Sequence, residues 1–115
     1  MIRRLSVLLV GAVIISSCAT VTPQGDVYRG KYFYNFETAA FTPAGASRPW
    51  CVNSAKLKAA ELPADGSHGG PWGTAEIVVR GVLSPKGRYC NLGAYEYVLE
   101  ITEVIEISNR QRVIP

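Results

Sequence analysis

His68 is the only imidazole in the chain, and it stands in "DGSHGG" with Asp65 and Ser67 beside it. Serine, histidine and aspartate can relay a proton to make a nucleophile, but only when separate rigid elements bring them together. Crowded into one glycine-rich loop, they read instead as a solvated histidine. Cys51 and Cys90 are soft donors, yet they lack CxxC spacing and have one remote imidazole for company, so they make no metal-ligand set. Glu96, Glu100 and Glu106 alternate along one stretch, which suits a wet strand face. Glycoside chemistry needs two carboxylates facing each other across a cleft. No GxSxG, HExxH, P-loop or dinucleotide glycine pattern occurs. The expectation is a non-enzyme with no catalytic residues, no metal and no cofactor.

The aromatic side chains are the other candidates. Tyr28, Tyr32, Tyr34 and Phe36 recur at strand spacing and could stack bases or sugars if their face were open. Core packing is the default for aromatics so spaced. Trp50 and Trp72 flank loops, so a binding groove is expected, if anywhere, among Trp50, Trp72, Tyr32 and Tyr34; the two tryptophans would equally serve as caps on the ends of a barrel. The chain of 115 residues, 48% hydrophobic and 18% charged, is sized for one folded domain. Its formal charge of +3 includes Arg3 and Arg4, and without that pair the remainder carries only +1. Such a near-neutral surface argues against nucleic acid as a partner.

Arg3 and Arg4 precede an apolar run from Leu5 to Ile15, after which come Ser16, Ser17 and Cys18. A positive start, an apolar core and small residues form the layout of a secretory signal. Eleven apolar-run residues are too few to span a bilayer, which takes about 20. Ile15-Ser16-Ser17-Cys18 resembles the lipobox of bacterial lipoproteins, matching it by residue type at each position. Ser17 stands where glycine or alanine is more usual. The resemblance implies that the Cys18 thiol carries diacylglycerol, that the signal, residues 1–17, is cut away, and that the new amino group takes a further acyl chain. Small residues are required there because the peptidase grips extended backbone closely.

With more than one acyl chain, each buried methylene contributing about 0.8 kcal/mol, attachment is stable. The membrane is therefore an expected partner, through lipid on Cys18. Ala19 carries none of the negative charge that retains lipoproteins at the inner membrane, so the expected location is the outer membrane, on its periplasmic or surface side. The inner membrane's periplasmic face is the alternative. If lipid consumes Cys18, Cys51 and Cys90 remain as an even pair in an oxidising compartment, and a disulfide between them is expected. Closing a loop of 39 residues would contribute about 4 kcal/mol.

Residues 18–26, containing Pro23 and Gly25, read as a lipidated tether, residues 27–110 as the domain and residues 111–115 as a tail. Within the domain, Tyr28 to Phe41 alternates as one long strand, with Tyr28, Gly30, Tyr32, Tyr34 and Phe36 on a single face and Phe33 interrupting the other. "TPAGASRP" breaks it, "WCVN" is a short apolar piece, and "SAKLKAAEL" favours a short helix with Leu57 and Leu62 inward and Pro63 ending it. After a loop over "PADGSHGGPWG", "TAEIVVRGVLS" is a strand with Ile77, Val79 and Leu83 on one face and Gly81 as a bend. "PKGRYCNLGAY" is a turn-rich connection. The last strand, "EYVLEITEVIEI", puts Tyr97, Leu99, Ile101, Ile105 and Ile107 on one face; Glu103 falls in that register, so a β-bulge is expected to reset it. Glycine kinks and one short helix favour a mainly β domain, a small OB-like five-stranded barrel with the helix between its third and fourth strands. A two-sheet sandwich is the alternative.

Gly81, Leu83, Ser84, Pro85, Gly87, Leu92, Gly93 and Tyr95 follow a "GxLSPxGxxGxLGxY" turn, with Cys90 where a third glycine is expected. The stretch from Tyr28 to about Ile107 resembles small bacterial envelope lipoproteins to which no activity is attached. The resemblance implies a fold and a location rather than a reaction. The expected role is structural or in binding another envelope protein; the alternatives are a small-ligand or saccharide-binding barrel and an inhibitor of an envelope enzyme.

Overall fold

The computed structural model describes residues 23–63 and 71–113. The signal and lipobox residues, including Cys18, and the loop holding Asp65, Ser67 and His68 lie outside the described residues. Five strands form a single sheet: β1 (Asp26–Tyr34), β2 (Ala39–Pro43), β3 (Trp50–Val52), β4 (Gly73–Leu83) and β5 (Val98–Arg112). Their order, β1-β2-β3-β5-β4, returns from β4 to β1, so the sheet closes in a ring. All neighbours are antiparallel except β3 and β5. β3 is the thin seam of the ring, with two register pairs to β2 and two to β5. No described helix is long and apolar enough to cross a membrane.

The single long strand expected from Tyr28 to Phe41 is instead a hairpin. Asn35 folds the chain back: its side-chain oxygen accepts the N–H groups of Glu37 (2.9 Å) and Thr38 (2.7 Å), and its own N–H donates to the Thr38 carbonyl (2.9 Å). A carboxamide that mimics a backbone turn in this way removes residues 35–38 from the alternation. Phe36 accordingly leaves the tyrosine face and stands 66% exposed.

Tyr32 and Tyr34 do point into the ring, stacked with ring centroids 5.4 Å apart, and pack with Phe41, Leu57, Ile77, Val79 and Leu99. Tyr28 and Trp50 pack against the core's other end, with Tyr97 set edge-on to Trp50. Gly30 lets β2 approach, since a Cβ there would lie 2.2 Å from the Thr42 carbonyl oxygen.

Between β3 and β4 the expected helix is replaced by two 3-10 turns, Ser54–Lys56 and Lys58–Ala60. Leu57 and Ala60 are buried as an inward face requires, but Glu61 is extended, so the turn ends before Leu62, which is only half-buried. The Leu62 N–H donates to the Tyr34 hydroxyl at 2.7 Å instead of continuing a helix. Lys56 Nζ to the Thr102 carbonyl (3.2 Å) and Arg110 Nε to the Ala59 carbonyl (2.8 Å) fasten the two turns to β5.

β5 meets β4 through three irregularities. Gly81 faces Ile101 while Arg80 faces Glu103, so Thr102 is the extra residue of a bulge, and Glu103 reaches Arg80 at 3.6 Å on the outer wall rather than entering the core. The Thr102 hydroxyl lies against the Gln24 and Arg80 carbonyls, giving the bulged segment polar partners. A second shift makes Ile105 the extra residue between Val104 and Glu106. Val104 therefore packs toward the core and Ile105 is 47% exposed, the reverse of the uninterrupted alternation.

Candidate functional site

The end of the ring where β1 finishes is not sealed by side chains. A cleft of about 410 Å³ opens there between the β1–β2 turn, β3, the 3-10 turns and the β4–β5 connection. Tyr32 and Tyr34 form its floor, Phe36 and Glu37 one wall, Lys58 and Glu61 a second, and Asn91 and Tyr95 a third. Each wall owes its place to a local device. Phe36 is turned outward by the Asn35 carboxamide; Lys58 and Glu61 are placed by the 3-10 turns that bury Leu57 and Ala60.

The β4–β5 connection is held as a small hairpin by backbone bonds from Ser84 to Val98, from Gly87 to Glu96 and in both directions between Tyr89 and Tyr95. A disulfide joins Cys90 at its tip to Cys51 in β3, with Cα atoms 6.5 Å apart. The pairing expected of these two cysteines is thus present, and it forms part of the cleft's lining. Cys90 adopts φ 62 and ψ −154, a conformation belonging almost entirely to glycine. That is the very position where the turn pattern called for glycine. Leu92, also at positive φ, stands 91% exposed on the same tip.

The Tyr32 hydroxyl donates to Glu61 Oε2 at 3.3 Å. Burial, and then the negative charge of Glu61, raise its pKa well above the ordinary tyrosine value, so the hydroxyl remains a neutral donor. Among the described residues no group of three His, Cys, Asp or Glu side chains converges in a way that could hold a metal.

A second depression, about 440 Å³, adjoins the cleft at Tyr95 and is lined by Trp50, Tyr97 and the ion pair of Arg48 with Glu96, Nη1 to Oε1 2.7 Å. Trp50 is braced by Tyr28, Phe41 and Tyr97, with centroids 5.4 to 6.0 Å away. A further hollow of about 650 Å³ lies on the outer wall beside Gly30, where Arg29, Lys31, Glu76 and Glu106 mix both signs without an aromatic ring.

The groove expected among Trp50, Trp72, Tyr32 and Tyr34 is thus divided. Tyr32 and Tyr34 floor one cavity, Trp50 walls the other, and Trp72 lines neither. The Trp72 indole N–H is enclosed without a hydrogen-bond partner among the described residues, and its carbonyl accepts the Val113 N–H at 3.1 Å. Lys58, Glu61, Tyr95 and Arg48 are lining residues that periodicity did not single out, Glu96 reads in the sequence only as part of a wet strand face, and Phe36, placed by alternation on the tyrosine face, is turned outward instead. Asn35 was the available signal for Phe36, because asparagine favours turns that alternation alone does not register. Known family models, curated proteins and solved structures offer no match to the chain.

Proposed function

We propose that the chain is a lipid-anchored envelope lipoprotein whose OB-like barrel binds a ligand in the cleft at the end of its ring. The strand order, the parallel β3–β5 pairing and the placing of the 3-10 turns between β3 and β4 support an OB-like barrel. Barrels of that kind bind ligands over their second and third strands, between the first-to-second and fourth-to-fifth strand loops. Here the same two loops frame the cleft. The observation that carries the reading is an open hollow of about 410 Å³ with an outward Phe36 on one side and a disulfide-pinned hairpin on the other. A loop held in place before binding loses little freedom when the ligand arrives, which favours affinity. Lipid on Cys18 would hold this site at the outer membrane, facing the periplasm or the surface.

Photocrosslinking in living cells tests it. A photoreactive phenylalanine analogue at Phe36 should give a discrete adduct on irradiation. The same probe at Val27, exposed near the opposite end of β1, should give none. Equal labelling at both positions, or none at Phe36, would rule the cleft out as the binding site.

A further inference from the structure

Building on the cleft reading, we infer that the two cavities are one site and that its ligand is a neutral oligosaccharide, a β-linked chain of gluco-configured sugars crossing Tyr95. Tyr95 lines both hollows, of about 410 and 440 Å³, so an elongated ligand can run from one to the other over a common wall.

Aromatic side chains recur along this path: Phe36 in the first hollow, Tyr95 at the junction, Trp50 and Tyr97 in the second. Sugars of this configuration carry their ring substituents equatorially, which leaves apolar C–H faces suited to contact with an aromatic ring. Their rims carry hydroxyls that both donate and accept. Arg48 offers only donors and Glu96 only acceptors, 2.7 Å apart, so neighbouring hydroxyls can accept from one and donate to the other. Both side chains remain reachable, being 80% and 40% exposed.

Other polymers fit less well. Glu37, Glu61 and Glu96 outnumber Lys58 and Arg48 along the path, which repels a phosphate backbone. A peptide cannot extend the sheet at β3, because both its edges are already paired. An unbroken run of prolines could lie on the aromatic rings but presents backbone carbonyl acceptors alone, with no donor for Glu96.

Calorimetric titration of the full chain in detergent, with cello- and chito-oligosaccharides from monosaccharide to hexasaccharide, tests the assignment. Affinity should rise with length, the hexasaccharide of at least one series binding about tenfold or more tighter than its disaccharide. Arg48→Ala with Glu96→Gln should abolish that gain and keep the wild-type urea midpoint. Phe36→Ala should weaken every length. An unchanged gain in the double variant would overturn the joined site. No binding in either series, or tighter binding of a polyproline peptide, would overturn the sugar assignment. Those failures, with the Phe36 photoadduct still forming, would leave the cleft reading standing; loss of the adduct is what would remove it.

Discussion

Tyr32 combines two demands that usually conflict, since its ring is fully buried while its hydroxyl must meet the Glu61 carboxylate at the cleft floor. Keeping the phenol neutral reconciles them, and this has a measurable cost in alkali. Because the folded pKa lies above the unfolded value of about 10, Tyr32 contributes its full stability below that pH. As pH rises past about 10, the unfolded chain releases the phenolic proton while the folded chain keeps it. Stability should therefore fall, and go on falling until the folded value is reached. Urea midpoints measured from about pH 8 to about pH 11 should decline less steeply in Tyr32→Phe than in the parent. Tyr28, whose pKa is also raised by burial and then by Asp26, titrates in both proteins and leaves a residual slope. Parallel curves would show that burial and Glu61 do not raise the Tyr32 pKa.

At the scale of elements, the β4–β5 hairpin and β3 act as one piece because Cys51 and Cys90 are joined. Replacing both by serine should cost about 4 kcal/mol for a separation of 39 residues. Cys51→Ser with Cys90→Gly should recover about 1 kcal/mol of that loss, because glycine occupies the conformation at position 90 without strain. Equal unfolding midpoints for the two double variants would refute the left-handed backbone there.

The strands themselves were legible where alternation ran unbroken: Ile77 and Val79 in β4, Leu99 and Ile101 in β5, Tyr32 and Tyr34 in β1. The Glu103 anomaly correctly signalled a bulge, since a carboxylate in an apolar register has few stable resolutions. What periodicity missed were events that shift a period without changing composition. A turn built from one carboxamide split the first strand, and a second bulge exchanged Val104 with Ile105. The cleft was harder still to read. Its walls come from three connections distant in sequence, and only the pairing pattern of the ring places Phe36 near Tyr95.

For the molecule as a whole, the chain enters the ring at the end away from the cleft floored by Tyr32 and Tyr34. Arg80 Nη1 donates to the Gly25 carbonyl at 3.1 Å, and the Thr102 hydroxyl to that of Gln24. Gly25 itself lies against the Gly81 backbone, where no larger residue fits. The span from Cys18 to Gln24 is thus a six-residue lead, at most about 20 Å when fully extended. It joins the ring at the start of β1, whereas the cleft lies at its end beside Tyr34. With lipid on Cys18, as proposed, the cleft would lie at the end of the ring away from the anchor. Intact mass of the native protein should correspond to residues 18–115 plus diacylglycerol and a further acyl chain. Cys18→Ser should yield an unprocessed, lipid-free chain, and a native species that retains Met1 would refute the anchor.

The brevity of β3 has one more consequence. With so few pairs across either side of it, this seam depends on a covalent stitch between Cys51 and the neighbouring hairpin. In a compartment rich in reductant, the cylinder would be free to unroll there, baring the borders of β2 and β5 as templates on which other copies could assemble. Reduced protein would thereby be prone to aggregate, while the disulfide-bonded form stays closed.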